Sequence, residues 1–162
     1  TDFLSRRASP EDFAAYAVGA DVHLHNGTSS AEITQRIEGL LTKIALGCMD
    51  AGAGLIGHIK CIVETEGKGF LAVSVVDASG QPHARGQLQE GIKEMDVIVN
   101  VLLYGLKRSR IQEIVDPLVR QELSIPGGHL TLEDLDKEHH HAHGDGHDHE
   151  HGHDHEHEHD HH

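Results

Sequence analysis

The chain has 162 residues, 13 Lys and Arg against 27 Asp and Glu, and a formal charge of -14 at pH 7 with histidine neutral. That length fits one domain with a tail, and so acidic a balance argues against nucleic acid or an anionic membrane surface as partner, since both call for clustered Lys and Arg. Aromatic residues make up only 3% with no Trp, which leaves no stacking platform for bases or sugars.

In chain order, Ser9 before Pro10, Glu11 and Asp12 reads as a helix start, and predicts a short helix to about Val18. Ala20 to His25 looks extended, with Asn26-Gly27 as the turn that ends it. Ser29 and Glu32 form a capping box, followed by Ile33, Ile37, Leu40, Leu41, Ile44, Ala45 and Cys48 at spacings of three and four, an amphipathic helix. Gly52, Gly54 and Gly57 break it. Two strand-like runs follow around Glu66-Gly67-Lys68-Gly69: Leu55, Ile59, Cys61 and Val63 share one face of the first, and Leu71, Val73 and Val75 one face of the second, as in an antiparallel hairpin.

A turn at Ser79-Gly80-Gln81-Pro82 leads to a weaker strand near His83 to Leu88. Val97 to Tyr104 is apolar at nearly every position, as in a strand covered on both faces or a buried helix, and its β-branched residues favour strand. Ile111, Ile114, Val115, Leu118 and Val119 mark a last helix, which Pro117 either kinks or divides. Pro126-Gly127-Gly128 reads as the end of regular structure. The expected fold is α+β: a two-layer sandwich, mostly antiparallel sheet with helices on one face, plus a disordered C-terminal tail. Residues 1–130 form the core and 131–162 an acidic linker and tail.

Little catalytic machinery is visible. Gly52 to Gly57 has the GxxxxG of a P-loop, but His58 and Ile59 stand where the phosphate-binding Lys and the magnesium-binding Ser or Thr belong. Serine nucleophile elbows and HExxH are absent. Cys48 and Cys61 are the only cysteines, too few for a disulfide framework and not spaced as CxxC; their apolar surroundings predict buried thiols and a reducing, cytoplasmic location. No apolar stretch approaches the roughly 20 residues of a membrane span, and no signal segment is evident. Thr1 is not a start methionine, which leaves room for a processed or missing N-terminal segment.

The last 24 residues carry the chemistry. His139, His140, His141, His143, His147, His149, His151, His153, His155, His157, His159, His161 and His162 are interleaved with seven acids, with no Lys, Arg or large apolar residue. A solvated tail would need only Asp and Glu, and an affinity tag would be a plain run of His. Neutral imidazole suits Zn, Ni, Co and Cu(II), and carboxylates raise the local cation concentration and complete coordination shells. At three or four ligands per ion the tail could hold roughly three or four ions. It would also swing in charge from -7 to +6 if all 13 imidazoles were protonated.

In the core, His23 and His25 are two apart in an expected strand, so both point to one face and could share a metal. With Asp21 they make an Asp-x-His-x-His string that resembles the opening of metal-dependent amidohydrolases and related phosphoesterases; the other core histidines are His58, His83 and His129. His58 and Cys61, three apart on a strand, should face opposite sides.

The interleaved tail resembles those of bacterial metallochaperones, notably the urease nickel chaperone and other nickel or cobalt accessory proteins. The resemblance covers His139 to His162. It implies a homodimer with a nickel site in the folded domain and a tail that stores extra ions. The expected function is therefore a non-enzymatic accessory protein that collects Ni²⁺, with Zn²⁺ or Co²⁺ as the other candidates, for a recipient metalloenzyme or its maturation complex. The alternative is a small metal-dependent enzyme or ligand-binding domain whose tail only supplies its metal.

Overall fold

The computed structural model describes residues 13–135. The elements are β1 (Phe13–Thr28), α1 (Ser30–Asp50), β2 (Leu55–Glu64), β3 (Gly69–Val75), β4 (His83–Leu88), β5 (Ile92–Tyr104), α2 (Arg108–Leu123) and β6 (Gly128–Asp134). All ladders are antiparallel, in the lateral order β4-β3-β2-β5-β1-β6. Both helices cover one face of the sheet, giving the expected α+β two-layer sandwich.

α1 forms where its capping box and spacing place it. The Ser29 hydroxyl accepts from the Glu32 amide at 3.1 Å, and the seven apolar positions named above are the helix's buried residues. The box is not reciprocal: Glu32 instead accepts from the Thr28 hydroxyl at 2.9 Å and from Arg36. Against this stripe lie Ile59, Cys61 and Val63 of β2 and Leu71, Val73 and Val75 of β3, while α2 covers Tyr16, Val18, Ala20 and Val22 of β1, all buried. Each aliphatic side chain removed from water this fully contributes about 1.5–3 kcal/mol.

Four expectations need correction. The helix expected to reach Val18 is strand from Phe13 onward; Ala14, Ala15, Ala17 and Gly19 between the inward residues blur the period-two signal, and alanine suits helix in the absence of a sheet. Asn26-Gly27 does not end the strand, because β1 runs on to Thr28 through a register shift after His23. In β2 a bulge between Ile56 and His58 turns Ile56 inward and leaves Leu55 57% exposed. Pro126-Gly127-Gly128 is not where regular structure ends: β6 follows and pairs with β1 to Asp134.

Other readings match. β3 and β4 lie where expected, Val97 to Tyr104 is strand, and α2 is one helix with Pro117 inside it. Cys48 and Cys61 are buried free thiols, and His58 is exposed on the face opposite Cys61. No helix among the described residues is long and apolar enough to cross a membrane.

The end of β6 is held by a polar network. Arg108 binds both carboxylate oxygens of Asp134, at 2.8 and 3.0 Å, while its guanidinium lies 5.0 Å from the centre of the Tyr16 ring. The Tyr16 hydroxyl donates to Asp116 of α2. Burial and this acceptor push the phenol well above its usual range. β1, α2 and β6 are thereby tied together just before the chain enters the tail.

Candidate metal centre

β6 exists because two glycines let the chain fold back. Gly127 takes φ +77, which favours glycine, and at Gly128 a Cβ would stand 2.7 Å from a Leu24 methyl and 3.0 Å from the Ile125 carbonyl oxygen, so a side chain there would force both to give way. The Gly128 amide donates to Ile125 at 2.9 Å and the His25 amide to Gly127 at 3.1 Å, closing the turn. The next residue, His129, then lies directly opposite His23 in the β1–β6 ladder.

Three imidazoles thus occupy one face at one end of the sheet. His23 and His129 are cross-strand partners, and the His25 ring meets the His129 ring edge-on with centroids 5.6 Å apart. All three are exposed. His23 is further engaged: its Nε2 lies 3.3 Å from Asp21 and its Nδ1 3.2 Å from Glu94. Two carboxylate partners favour the doubly protonated ring, and the hydrogen bond and charge of Asp21, then of Glu94, raise its pKa above the ordinary histidine value.

His23 and His25 do share a face, as their spacing predicts, but the imidazole nearest His25 in the structure is His129. In the sequence His129 has no evident partner; its one signal is the Gly-Gly before it, which marks a turn into a further strand as readily as a terminus. An open cleft of about 400 Å³ adjoins, lined by His23, Glu66, Lys68, Lys93 and Glu94. His58 and His83 lie elsewhere, on β2 and β4.

Among the described residues, no group of three or more His, Cys, Asp or Glu is gathered closely enough to hold a metal ion by itself. Two imidazoles are, however, at a suitable separation. A metal about 2.0–2.1 Å from each of two ring nitrogens would stand about 3.2 Å from each ring centre, and a tetrahedral angle then sets the centres about 5.2 Å apart. The ring centres of His25 and His129 are 5.6 Å apart, near this value, with the rings meeting edge-on at 71°. The 13 tail histidines lie outside the described residues.

The fold and site define an α+β sandwich with a histidine and carboxylate cluster on an edge-strand pair. No protein family, curated protein or solved structure matches the chain.

Proposed function

We propose that this is a non-enzymatic, cytoplasmic transition-metal accessory protein, which gathers Ni²⁺, or Zn²⁺ or Co²⁺, on its tail and hands ions to a recipient metalloprotein through the His25–His129 end of the core. The observation that carries the reading is the pairing of these two imidazoles, one on β1 and the other, His129, on β6, the strand that precedes the tail. Two core imidazoles leave two tetrahedral positions open, and tail ligands fill them.

Reach permits this. From Leu135 back to His129 is about 20 Å along the strand, and His143, eight residues past Leu135, can reach about 26 Å. His23 stands opposite His129 with a carboxylate on each ring nitrogen, so it lies beside the pair without serving as a third ligand. The metal-free tail, itself acidic, is repelled by Asp21 and Glu94; a bound cation reverses that sign and draws the tail in. Metal identity is set by the recipient and the core, since imidazole affinity alone follows the Irving-Williams order and favours copper.

The test is native mass spectrometry of the full chain and of a 1–138 truncation, each titrated with Ni²⁺, Zn²⁺ and Co²⁺. The expected result is loss of several ions on truncation, with one weaker ion kept by the core. A core that keeps no ion, in a full chain whose tightest ion is unaffected by His25→Ala with His129→Ala, sinks the transfer site. A truncation that retains one very tight ion favours the enzyme alternative.

A further inference from the structure

On the face of the sheet opposite the helices, Lys60 of β2, Ser74 of β3 and His83 of β4 stand side by side, and Arg85 lies one pleat along from His83, opposite Ala72. The small Ala72 and Ser74 make a floor between longer neighbours. The result is an open cleft of about 310 Å³ lined by Lys60, Ala72, Ser74, His83 and Arg85. Neither Lys60 nor Arg85 makes an ion pair among the described residues. Two cations beside a hydroxyl, in a chain of net charge -14, suit carboxylate oxygens.

The chain leaves the described core on this same face. Gly19 shares its side of β1 with the exposed Asp21 and His23, and a Cβ there would stand 3.3 Å from the Leu135 side chain, so Leu135 lies over the open side of the sheet. Asp134 pairs with Val18, which sets Leu135 level with Ala17. From Ala17 one row crosses the sheet through Asn100, Lys60 and Ser74 to His83. This polar lane runs between Ile62 and Ile98 on one side and Leu102 on the other. Beyond the isoleucines Asp21, Asp96 and Glu64 stand opposite one another on three adjacent strands, a row of one sign that repels an acidic segment.

We propose that the metal-free tail lies back along this lane and seats its carboxylates in the Lys60–Arg85 cleft. Reach is ample. The cleft, centred on β3, is four strand spacings from β6, about 19 Å, and Asp145, ten residues past Leu135, can extend about 33–36 Å. Asp145, Asp148 and Glu150 are the first tail acids able to arrive. One exposed ion pair is weak by itself, but the tether holds seven carboxylates beside the cleft at an effective concentration no free peptide matches. Loading roughly three or four divalent ions adds +6 to +8 to a tail of -7 and cancels the attraction. Metal therefore releases the tail from the cleft, free to approach the His25–His129 end. That release rests on the metal-gathering role proposed above, whereas the docking does not.

A carbodiimide, which joins a lysine amine to a touching carboxylate with no spacer, reads the docking in the full chain in EDTA. The expected result is Lys60 linked within one molecule to Asp145, Asp148 or Glu150, at several times the yield found for the exposed Lys68 and Lys93. Arg85→Glu should lower the Lys60 yield several-fold and Arg85→Lys should keep it, both with unchanged circular dichroism. Salt at about 1 M, where the screening length is about 3 Å, should abolish it. Equal yields for Lys60, Lys68 and Lys93 overturn the proposal, as does a Lys60 yield indifferent to Arg85→Glu. Links that form only between molecules, read by mixing isotopically light and heavy chains, overturn it too. The amides of Ser74 and Arg85 should shift in NMR spectra when the seven tail acids are changed to Asn and Gln. If inorganic phosphate moves those amides and the tail changes do not, the cleft serves a free anion and the proposal fails. Zn²⁺ should bring the same amides to their positions in the tail variant. A chain that takes up zinc without that movement overturns the release; a tail that takes up none defeats the metal-gathering role and leaves the links formed in EDTA standing.

Discussion

His129 stands directly across the β1–β6 ladder from His23 while its ring lies against His25, 5.6 Å between centroids. One residue of the last strand thus neighbours both histidines of the Asp-x-His-x-His string. If the core site is built on this pair, His129→Ala should weaken the core's single-ion affinity at least tenfold, a loss typical of removing one metal ligand or its support. His58→Ala, on β2, should change nothing. Competition with a chromophoric chelator on the 1–138 chain measures both, and equal affinities for the two variants would remove His129 from the site.

The carboxylates around His23 set a pH dependence with a definite sign. Its pKa is raised in the folded chain, so the folded state holds the proton more tightly than the unfolded one. The stabilisation from Asp21 and Glu94 is therefore complete below the unfolded value of about 6.5 and is lost as pH rises through the raised folded value. A proton NMR titration of the metal-free chain should give the His23 ring a midpoint above 6.5. The stability advantage of wild type over His23→Gln should shrink as pH rises past that midpoint; an advantage that grows with pH contradicts the assignment.

Burial pushes the Cys48 thiol up to about 11 and the Cys61 thiol to about 12. Thiolate, the nucleophile and metal ligand, is then scarce at neutral pH. In the native chain at pH 7.5 neither should react with an alkylating reagent over minutes, whereas both should in denaturant. Metal capacity should survive Cys48→Ala with Cys61→Ala, apart from the roughly 1 kcal/mol or more that small cavities cost in stability. A drop in stoichiometry would mean that thiolates ligate.

Two glycines in one hairpin separate backbone preference from crowding. Gly67 has φ +72 with nothing near a would-be Cβ, while Gly69 has φ +87 and would place that Cβ 2.2 Å from the Gln87 carbonyl oxygen. Gly67→Ala should cost about 1–2 kcal/mol, the left-handed penalty. Gly69→Ala should cost clearly more, because β3 and β4 must also separate. Chemical denaturation of the two variants measures the difference, and similar losses would contradict the close approach at Gly69.

Local pattern alone carried a large part of the fold. Ser29 and Glu32 with the apolar spacing from Ile33 to Cys48 defined α1 down to its buried residues, because capping and a 3.6-residue period are properties of a short stretch of chain. Leu71, Val73 and Val75 did the same for β3. Where side chains were small the pattern lost contrast: Ala14 to Gly19 suit helix by intrinsic preference, and only pairing with Leu103 to Ile98 of β5 makes them strand.

The sequence by itself determined the mixed α+β class, the antiparallel character, the buried thiols and the concentration of imidazoles and carboxylates in His139 to His162, since these follow from composition and short-range spacing. Tertiary structure alone decided that Ile56 rather than Leu55 enters the core, that Pro126-Gly127-Gly128 turns the chain from α2 into β6, and that His129 meets His25. Each depends on which strand lies beside which. That neighbour is chosen by burial and hydrogen bonding over long separations, where no local period records it.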